Sequence, residues 1–149
     1  MPDFLRKRLE HDVPGWLRAD HAIYFITICC RERGKNSLCQ NEISESLLQT
    51  IRHRHEKGIW WTHLALLMPD HLHMLLSFPL NGPPMEQILK NWKSWTARTL
   101  KIQWQHGFFD HRLRKEESLV EKSEYILQNP VRAGLVAEAS SWSHYWKPE

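Results

Sequence analysis

The sequence lacks the features that mark membrane-spanning, secreted and disulfide-bonded proteins. No apolar run approaches the roughly 18 residues that a membrane-spanning helix requires, and the polar start, Met1–Arg8, lacks the apolar segment of a secretion signal. The three cysteines, Cys29, Cys30 and Cys39, include no Cys-x-x-Cys pair. A disulfide framework and a zinc ribbon are therefore not expected, and the sequence predicts a protein of the reducing cytoplasm without a membrane partner.

Internal repeats, low-complexity tracts and linkers are also missing, so nothing in the sequence divides the chain. A length of 149 residues suits one domain with a real core. We expect this domain to span residues 1–149, with an irregular leader over 1–20 and a C-terminal tail over 130–149. Charged residues make up 25% and the net charge is +3, which is typical of a soluble globular protein and compatible with nucleic-acid binding.

What is present is an alternation of strand-like and helix-like segments. Strands are predicted over 22–30, 60–68, 71–78 and 107–113. Helices are predicted over 41–57, about 84–103 and about 115–128. The order β-α-β-β-α-β-α predicts an α+β fold, a ferredoxin-like split βαβ antiparallel sheet with an additional C-terminal helix that carries a tyrosine. In this topology the first and third strands are central.

Local signals set the expected helix boundaries. Asn41 is the expected N-cap of the first helix, and Gly58 is expected to end it. Pro130 is expected to end the third helix and to bias Asn129 away from a helical conformation. The residues that track one face of the second helix are Ile88, Trp92, Trp95 and Thr99.

Two histidines on the predicted third strand are separated by one residue. Because successive side chains of a strand point to opposite faces, His71 and His73 share one face with Leu75 and Ser77. The other face, expected to be the core side, carries Leu72, Met74, Leu76 and Phe78. Two adjacent imidazoles are a common start to a metal site, although a wet or hydrogen-bonded pair has the same spacing.

The third helix has a polar face that includes a tyrosine. Spacings of four and three place Glu121, Tyr125, Gln128 and Asn129 on one side. Residues closer to the opposite side are Leu119, Ser123, Ile126 and Leu127. A tyrosine beside an amide, facing a strand with paired histidines, is suited to act as a nucleophile next to a metal. A half-buried packing tyrosine is the commoner alternative on composition alone.

These motifs occur together in one family. Pro69-Asp70-His71-Leu72-His73 resembles the His-hydrophobe-His signature of HUH endonucleases. The segment Phe109–Arg114, Phe-Asp-His-Arg-Leu-Arg, is followed by Tyr125–Val136, Tyr-Ile-Leu-Gln-Asn-Pro-Val-Arg-Ala-Gly-Leu-Val, and the two together resemble REP-associated tyrosine transposases. These are relatives of the single-tyrosine transposases of small bacterial insertion sequences. Pro14-Gly15 and Tyr24–Thr27 are similar too, so the resemblance covers roughly residues 14–146.

The resemblance implies an enzyme that cuts and rejoins single-stranded DNA beside imperfect palindromic hairpins. By this resemblance His71 and His73 would bind one divalent ion, Mg²⁺ or Mn²⁺. Asn129 would be the third ligand, with Gln128 in reserve. Tyr125 would attack the scissile phosphate and give a 5′-phosphotyrosine and a free 3′-hydroxyl. The resemblance favours a monomer over a dimer that exchanges tyrosine helices.

Several charged residues remain candidates for DNA contacts. Basic side chains that would contact the DNA backbone, or equally be plain surface charges, are Arg112, Arg114, Lys90 and Lys93. Asp110 and His111 belong to the family pattern, and a structural role such as orienting a loop is one interpretation.

Two other functions stay open at this point. A non-catalytic RRM-like single-stranded nucleic-acid-binding module has the same β-α-β-β-α-β order, and Tyr24 and Phe25 would supply its aromatic platform. The third strand, however, has histidines in place of the Lys/Arg-Gly-Phe-x-Phe type of signature. A zinc hydrolase built on His71 and His73 is the second alternative, and neither a His-Glu-x-x-His motif nor a cysteine pair supports it.

Overall fold

The fold is a five-stranded antiparallel sheet with helices on both faces. A computed structural model describes residues 13–18, 20–114 and 117–149. The strands are β1 Tyr24–Cys29, β2 Trp61–Met68, β3 His71–Ser77, β4 Phe109–Arg112 and β5 Tyr145–Trp146. The helices are α1 Asn41–Glu56, α2 Met85–Leu100, α3 Leu119–Leu127 and α4 Asn129–Arg132, with a short 3-10 helix at Ala139–Ser141.

The strand order in the sheet is β4-β1-β3-β2-β5. The first four strands have the order of the split βαβ fold, with β1 and β3 in the centre, so the predicted α+β class is confirmed. The fifth strand was not predicted, because two residues are too short to show an alternating pattern. Tyr145 and Trp146 pair with Leu66 and Ala65, so the segment predicted as a tail covers the outer edge of β2.

The first core lies between the sheet and the helices α1 and α2. The strand residues that fill it are fully or almost fully buried, and they include Ile26, Ile28, Leu72, Met74 and Leu76. The side of β3 that the sequence predicted as the core side is therefore confirmed. None of the helices among the described residues is long and apolar enough to cross a membrane.

The buried stripe of α2 differs from the predicted one. Ile88, Leu89, Trp92 and Thr96 are the buried residues of this helix, whereas Trp95 is 38% exposed and the predicted stripe is wrong from that position onward. Polar atoms help to select the buried side, because the indole N–H of Trp104 donates to Thr96 Oγ1 at 2.9 Å.

Two predicted helix boundaries are corrected. The N-cap of α1 is Gln40 and not Asn41, which is the first helical residue. The second helix ends at Leu100 and does not continue to 103, because Lys101 adopts a left-handed conformation with φ 60. The predicted end of α1 at Gly58 is consistent with the structure, since this glycine has φ +74, a value that favours glycine.

The third helix is shorter than predicted and is followed directly by a fourth. Its predicted start near Lys115 lies outside the described residues, and the described helix begins at Leu119 after the N-cap Ser118. The prediction that Asn129 is not helical is wrong, because Asn129 is the first residue of α4. Pro130 is tolerated there, since the first turn of a helix needs no backbone N–H donor.

The second core lies on the opposite face of the sheet, under α3. Ile126 of α3 is fully buried against Leu64, Leu66, Met68 and Leu75 of the strands. This face of β3 is the one that carries the two histidines. The tyrosine helix therefore packs on the histidine face of its own chain.

Candidate active site

His71 and His73 lie next to each other on the sheet face that α3 covers. Antiparallel pairing places Thr27 opposite His73 and Cys29 opposite His71, and residues directly opposite in a ladder share a face. The two imidazole rings are edge to face, with 4.9 Å between their centroids. The predicted sharing of one face is therefore observed, on a central strand of the sheet.

Asp70 holds the imidazole of His71 from the turn before β3. Its Oδ1 lies 2.8 Å from His71 Nδ1, and its Oδ2 accepts from the N–H of Gly34 at 2.7 Å and pairs with Arg33 at 3.4 Å. Burial acts to raise the pKa of Asp70, but these partners outweigh it and hold the pKa below its usual value. An ionised Asp70 accepts the Nδ1–H of His71 and leaves Nε2 available as a ligand.

Thr27 has the corresponding role for His73 from the neighbouring strand. Thr27 Oγ1 lies 2.9 Å from His73 Nδ1. Burial, together with the charges of His71 and Arg132, lowers the pKa of His73 from 6.5 to about 3. His73 is therefore neutral at pH 7, which is the form that binds a metal ion. When Nδ1–H donates to the Thr27 hydroxyl, Nε2 is the nitrogen left for a ligand.

The chemistry of these donors fits the expected metal ion. An imidazole whose second nitrogen is fixed by a carboxylate or hydroxyl is the usual form of a metal-ligating histidine. Nitrogen and oxygen ligands together suit Mn²⁺ better than Mg²⁺. Within residues 13–18, 20–114 and 117–149, no three side chains drawn from His, Cys, Asp and Glu form a metal-binding group. The third ligand that the resemblance implies, the amide of Asn129, is not one of these four residue types.

The local sequence of α3 explains why Tyr125 is accessible. Ser118 caps the helix, since its hydroxyl accepts from the N–H groups of Val120 and Glu121 at 3.1 and 3.3 Å. Ile126 is fully buried, whereas Tyr125 beside it is 56% exposed. The predicted division of the helix into an apolar and a polar side is confirmed.

A series of contacts connects Tyr125 to His73. The ring of Phe25 lies edge-on to His73, with 5.2 Å between centroids, and Lys122 Nζ lies 5.5 Å from the rings of both Phe25 and Tyr125. Arg132 Cζ lies 4.0 Å from the centroid of the Tyr125 ring, and its charge also acts on His73. Tyr125 is thus linked to the histidine face through Lys122 and Phe25 of the same chain.

Of the two predicted amide ligands, Asn129 has contacts within this site. Its Oδ1 accepts from Arg132 Nη2 at 3.2 Å, and an amide oxygen has a second lone pair for another partner. Gln128 is exposed at the end of α3, and its backbone N–H donates to Glu124 O at 3.0 Å. Asn129 is thus the amide that contacts Arg132 beside Tyr125, and the choice between Asn129 and Gln128 as ligand stays a prediction.

Sequence reasoning gave no role in the active site to Thr27, Phe25, Lys122 or Arg132. Lys122 lies three residues before Tyr125 on the same helix, a spacing that places side chains near one another, whereas Arg132 reaches Tyr125 from the next helix. The spacing of Lys122 was a usable signal. For Thr27 the register between β1 and β3 was needed, and only its position on the same strand face as Phe25 could be seen in the sequence.

His111 connects the end of β4 to the start of α3. Its Nε2 lies 2.9 Å from Glu117 Oε1, which also accepts from the Arg114 N–H at 2.8 Å. The bond from the Arg114 N–H and the bond to His111 lower the pKa of Glu117 to about 2. Lys122 Nζ lies 3.6 Å from the other carboxylate oxygen. These contacts agree with a structural role for His111 in orienting α3.

Arg112 and Asp110 do not share a face with the histidines. Arg112 pairs with Tyr24 and Asp110 with Ile26, so both point toward the α1 and α2 side, although all of β4 is exposed at the sheet edge. Arg114 is exposed just after this strand.

Lys90 and Lys93 lie on α2, on the far side of the sheet from the histidines. Lys93 Nζ donates to the carbonyl oxygens of Gln105 and Gly107 at 2.7 and 2.5 Å. This side chain holds the loop before β4, which is a structural use that the sequence did not indicate. Lys90 is exposed.

Comparison with known proteins points to the same family as the motifs. A Haemophilus influenzae protein provisionally named a REP-associated tyrosine transposase is 26% identical over 140 residues, which cover 82% of this chain and 77% of that protein. The REP-associated tyrosine transposase of Escherichia coli strain K12 is 24% identical over 124 residues, which cover 80% of this chain and 72% of that protein. No protein-family profile matches the chain.

The comparison with solved structures agrees on the fold. A REP-associated tyrosine transposase bound to a REP hairpin superposes with a TM-score of 0.71 and 21% identity, over 87% of this chain and 80% of that one. The two relatives and the solved structure described here are thus transposases by name. More narrowly, they are REP-associated tyrosine transposases, and the resemblance inferred from the motifs is confirmed.

Proposed function

We propose that this protein is a transposase-like enzyme, a metal-dependent endonuclease and strand transferase that acts on single-stranded DNA beside hairpins through a phosphotyrosine on Tyr125. The observation that supports this proposal is the packing of α3, with its exposed Tyr125, on the sheet face that carries the paired imidazoles. The names of the relatives support a transposase, and the hairpin bound to the solved relative supports a hairpin partner.

Tyr125 is the nucleophile of the proposed reaction. Its phenolic oxygen attacks the scissile phosphorus, forms the new P–O bond and loses its proton to solvent, to which 56% of the residue is exposed. The bond from phosphorus to the 3′ oxygen breaks, and that oxygen takes up a proton to become a free 3′-hydroxyl. The phosphotyrosine keeps a diester linkage, so the 3′-hydroxyl of another strand can reverse the step without ATP.

His71, His73 and Asn129 would hold the metal ion of the proposed enzyme, and two neighbouring side chains orient the imidazoles. A Mg²⁺ or Mn²⁺ ion held by His71, His73 and Asn129 would polarise the scissile phosphate. Asp70 and Thr27 hold the two imidazoles by Nδ1 at 2.8 and 2.9 Å. These bonds keep the rings oriented before DNA arrives, which lowers the cost of assembling the site.

We propose that a monomer carries out this chemistry. Ile126 buries α3 against the strands of the same chain, so the tyrosine and the histidines need no second copy. This arrangement supports the monomer that the resemblance favoured over an exchange of tyrosine helices.

The RRM-like alternative receives less support. Tyr24 packs into the first core and contacts Phe78, with 6.1 Å between ring centroids. Phe25 points to the other face and lies under α3 with Lys122 near its ring. The two aromatic residues therefore do not form a shared open platform for unpaired bases.

A denaturing gel tests the proposal. The protein is mixed with end-labelled single-stranded DNA that carries palindromic hairpins from its own genome, with Mn²⁺, with Mg²⁺ or with chelator. We expect a slow-migrating covalent band that requires metal and is absent in Tyr125→Phe and His71→Ala. Tyr145→Phe is the matched control, because Tyr145 is also partly exposed, at 40%, and is not placed in the site. Tight binding that ignores chelator, with no covalent band on any hairpin, would favour the binding-module alternative.

A further inference from the structure

Arg132 contacts both the backbone and the ring of Tyr125, and the proposed function gives it no role. It ends α4, and its Nη2 donates to the carbonyl oxygen of Tyr125 at 2.8 Å and to Asn129 Oδ1 at 3.2 Å. The flat guanidinium also lies over the phenol ring, with Cζ 4.0 Å from the ring centroid. One side chain thus contacts the backbone and ring of Tyr125 and the amide of Asn129.

These contacts bridge a weak point of the backbone. Pro130 has no N–H, so the regular hydrogen-bond pattern is interrupted where α3 is followed by α4. The last turn of α3 contains no basic residue of its own. Arg132 crosses the interruption, because it bonds Tyr125 in the last turn of α3 and Asn129 in the first turn of α4.

We propose that Arg132 is the positioning residue of the tyrosine, holding the Tyr125 ring by its face and fixing its offset from the amide of Asn129. This inference rests on the proposed function, in which Tyr125 attacks and Asn129 is a ligand. An ordered nucleophile matters because small displacements from the attacking geometry cost a large part of the rate.

The role requires the shape of arginine and not only its charge. A guanidinium is planar, so it can stack on an aromatic ring while its edge donates to oxygen atoms, whereas the ammonium of lysine is a point charge. Lys122 is a second cation near the same ring, but its Nζ lies at 5.5 Å and its ion pair is with Glu117. A positive charge near Tyr125 therefore remains when Arg132 is replaced.

The first measurement tests the contact without DNA. The three tyrosines are labelled as 3-fluorotyrosine, and the ¹⁹F resonance of Tyr125 is assigned by its loss in Tyr125→Phe. We expect this resonance to move toward that of the unfolded chain in Arg132→Met and in Arg132→Lys, while the Tyr24 and Tyr145 signals stay in place. A Tyr125 resonance that does not move in either variant overturns the proposal.

The second measurement separates positioning from binding. Single-turnover formation of the covalent adduct at saturating DNA is compared with hairpin affinity, which is measured in the Tyr125→Phe background. We expect Arg132→Met and Arg132→Lys to slow adduct formation by about 10- to 100-fold with little change in hairpin affinity. Arg98→Met, which removes another exposed helical arginine, is the matched control and leaves the rate unchanged.

The outcomes distinguish this inference from the proposed function. If Arg132→Lys keeps the wild-type rate, charge is enough and the positioning role is wrong. If hairpin affinity falls as much as the rate, Arg132 acts in DNA binding and the inference is overturned. If the wild-type protein forms no adduct on any hairpin, the proposed function fails and the catalytic part of the inference fails with it, whereas the ¹⁹F measurement still decides whether Arg132 orders the ring.

Discussion

Thr27 Oγ1 and His73 Nδ1 lie 2.9 Å apart across the ladder between two central strands. The hydroxyl occupies one nitrogen of a half-buried imidazole whose pKa is lowered to about 3 by burial and by the neighbouring charges. When Nδ1–H donates to this hydroxyl, Nε2 is the nitrogen left for a ligand. Thr27 thus orients the His73 ring from the neighbouring strand.

Replacing Thr27 with Val keeps the shape of the side chain and removes the hydroxyl. We expect the affinity for metal to fall about 10- to 100-fold, because partners that orient a metal-ligating histidine contribute about this much. The readout is the Mn²⁺ concentration that gives half-maximal adduct. Thr27→Ser retains the hydroxyl and should stay close to wild type; equal losses in the two variants would contradict this role.

Removing the buried side chain of Ile126 should release the tyrosine helix. Ile126→Ala is expected to lower the free energy of unfolding by about 2–5 kcal/mol, the usual cost of such a truncation in a core, and to reduce adduct formation more than hairpin binding. The matched control on the same helix is Val120→Ala, since Val120 is 65% exposed. Urea denaturation measures the free energy of unfolding of the two variants. A similar loss of stability in the two variants would show that α3 is not anchored by this contact.

Lys93 should matter for stability more than for DNA binding. Lys93→Met removes the hydrogen bonds to Gln105 and Gly107, and we expect a loss of about 1.5–3 kcal/mol in the free energy of unfolding, as for hydrogen bonds to charged groups. Lys90→Met, at an exposed position on the same helix, is the control. Weaker hairpin binding with a smaller salt dependence, and unchanged stability, would instead support the predicted phosphate contact.

His63 should make the protein less stable in acid. Burial, followed by the charges of His55 and His21, lowers its pKa from 6.5 to about 4, so the folded protein binds this proton less readily than the unfolded chain. The part of the folding stability that depends on a neutral His63 is fully present above about pH 6.5. It is lost as the pH falls toward 4, by up to about 3 kcal/mol. Unfolding free energies at pH 7 and 4 should differ by less in His63→Gln than in wild type. The exposed His53 provides the comparison, and His53→Gln should leave the difference unchanged.

The part of the site that was predicted depends on short-range periodicity and on motif order. A period of two places His71 and His73 on one face of a strand, and helical spacing separates exposed Tyr125 from buried Ile126. Neither result needs knowledge of the rest of the chain. The resemblance then connected the two segments, although they are more than fifty residues apart.

What was missed depends on contacts distant in sequence or on backbone geometry. Thr27 and His73 meet only because β1 and β3 adopt one particular register, which a single sequence does not encode in a readable pattern. Lys93 reaches carbonyl oxygens of a loop beyond its own helix. Asn129 was expected outside a helix, since the effect of Pro130 on the preceding residue was known, but a second helix that begins at Asn129 removes the conflict.

The segment that ends in β5 has a consequence for how the protein unfolds. Trp142 packs into the core under α3 and its indole N–H donates to Leu67 O at 2.9 Å, whereas Trp146 packs into the core under α1 and α2. Between them His144 bonds Leu67 by its backbone oxygen and Ser44 by its ring. Residues 142–146 thus cross the edge of the sheet and contact the cores on both of its faces.

A sheet with helices on both sides has two cores that the strands keep apart, and these can melt one after the other. Because residues 142–146 hold both cores at once, we expect a single cooperative transition that is the same by tryptophan fluorescence and by far-ultraviolet circular dichroism. Deleting residues 142–149 should separate the two curves. Cooperativity in this fold would then be a property that the last few residues of the chain confer on the whole.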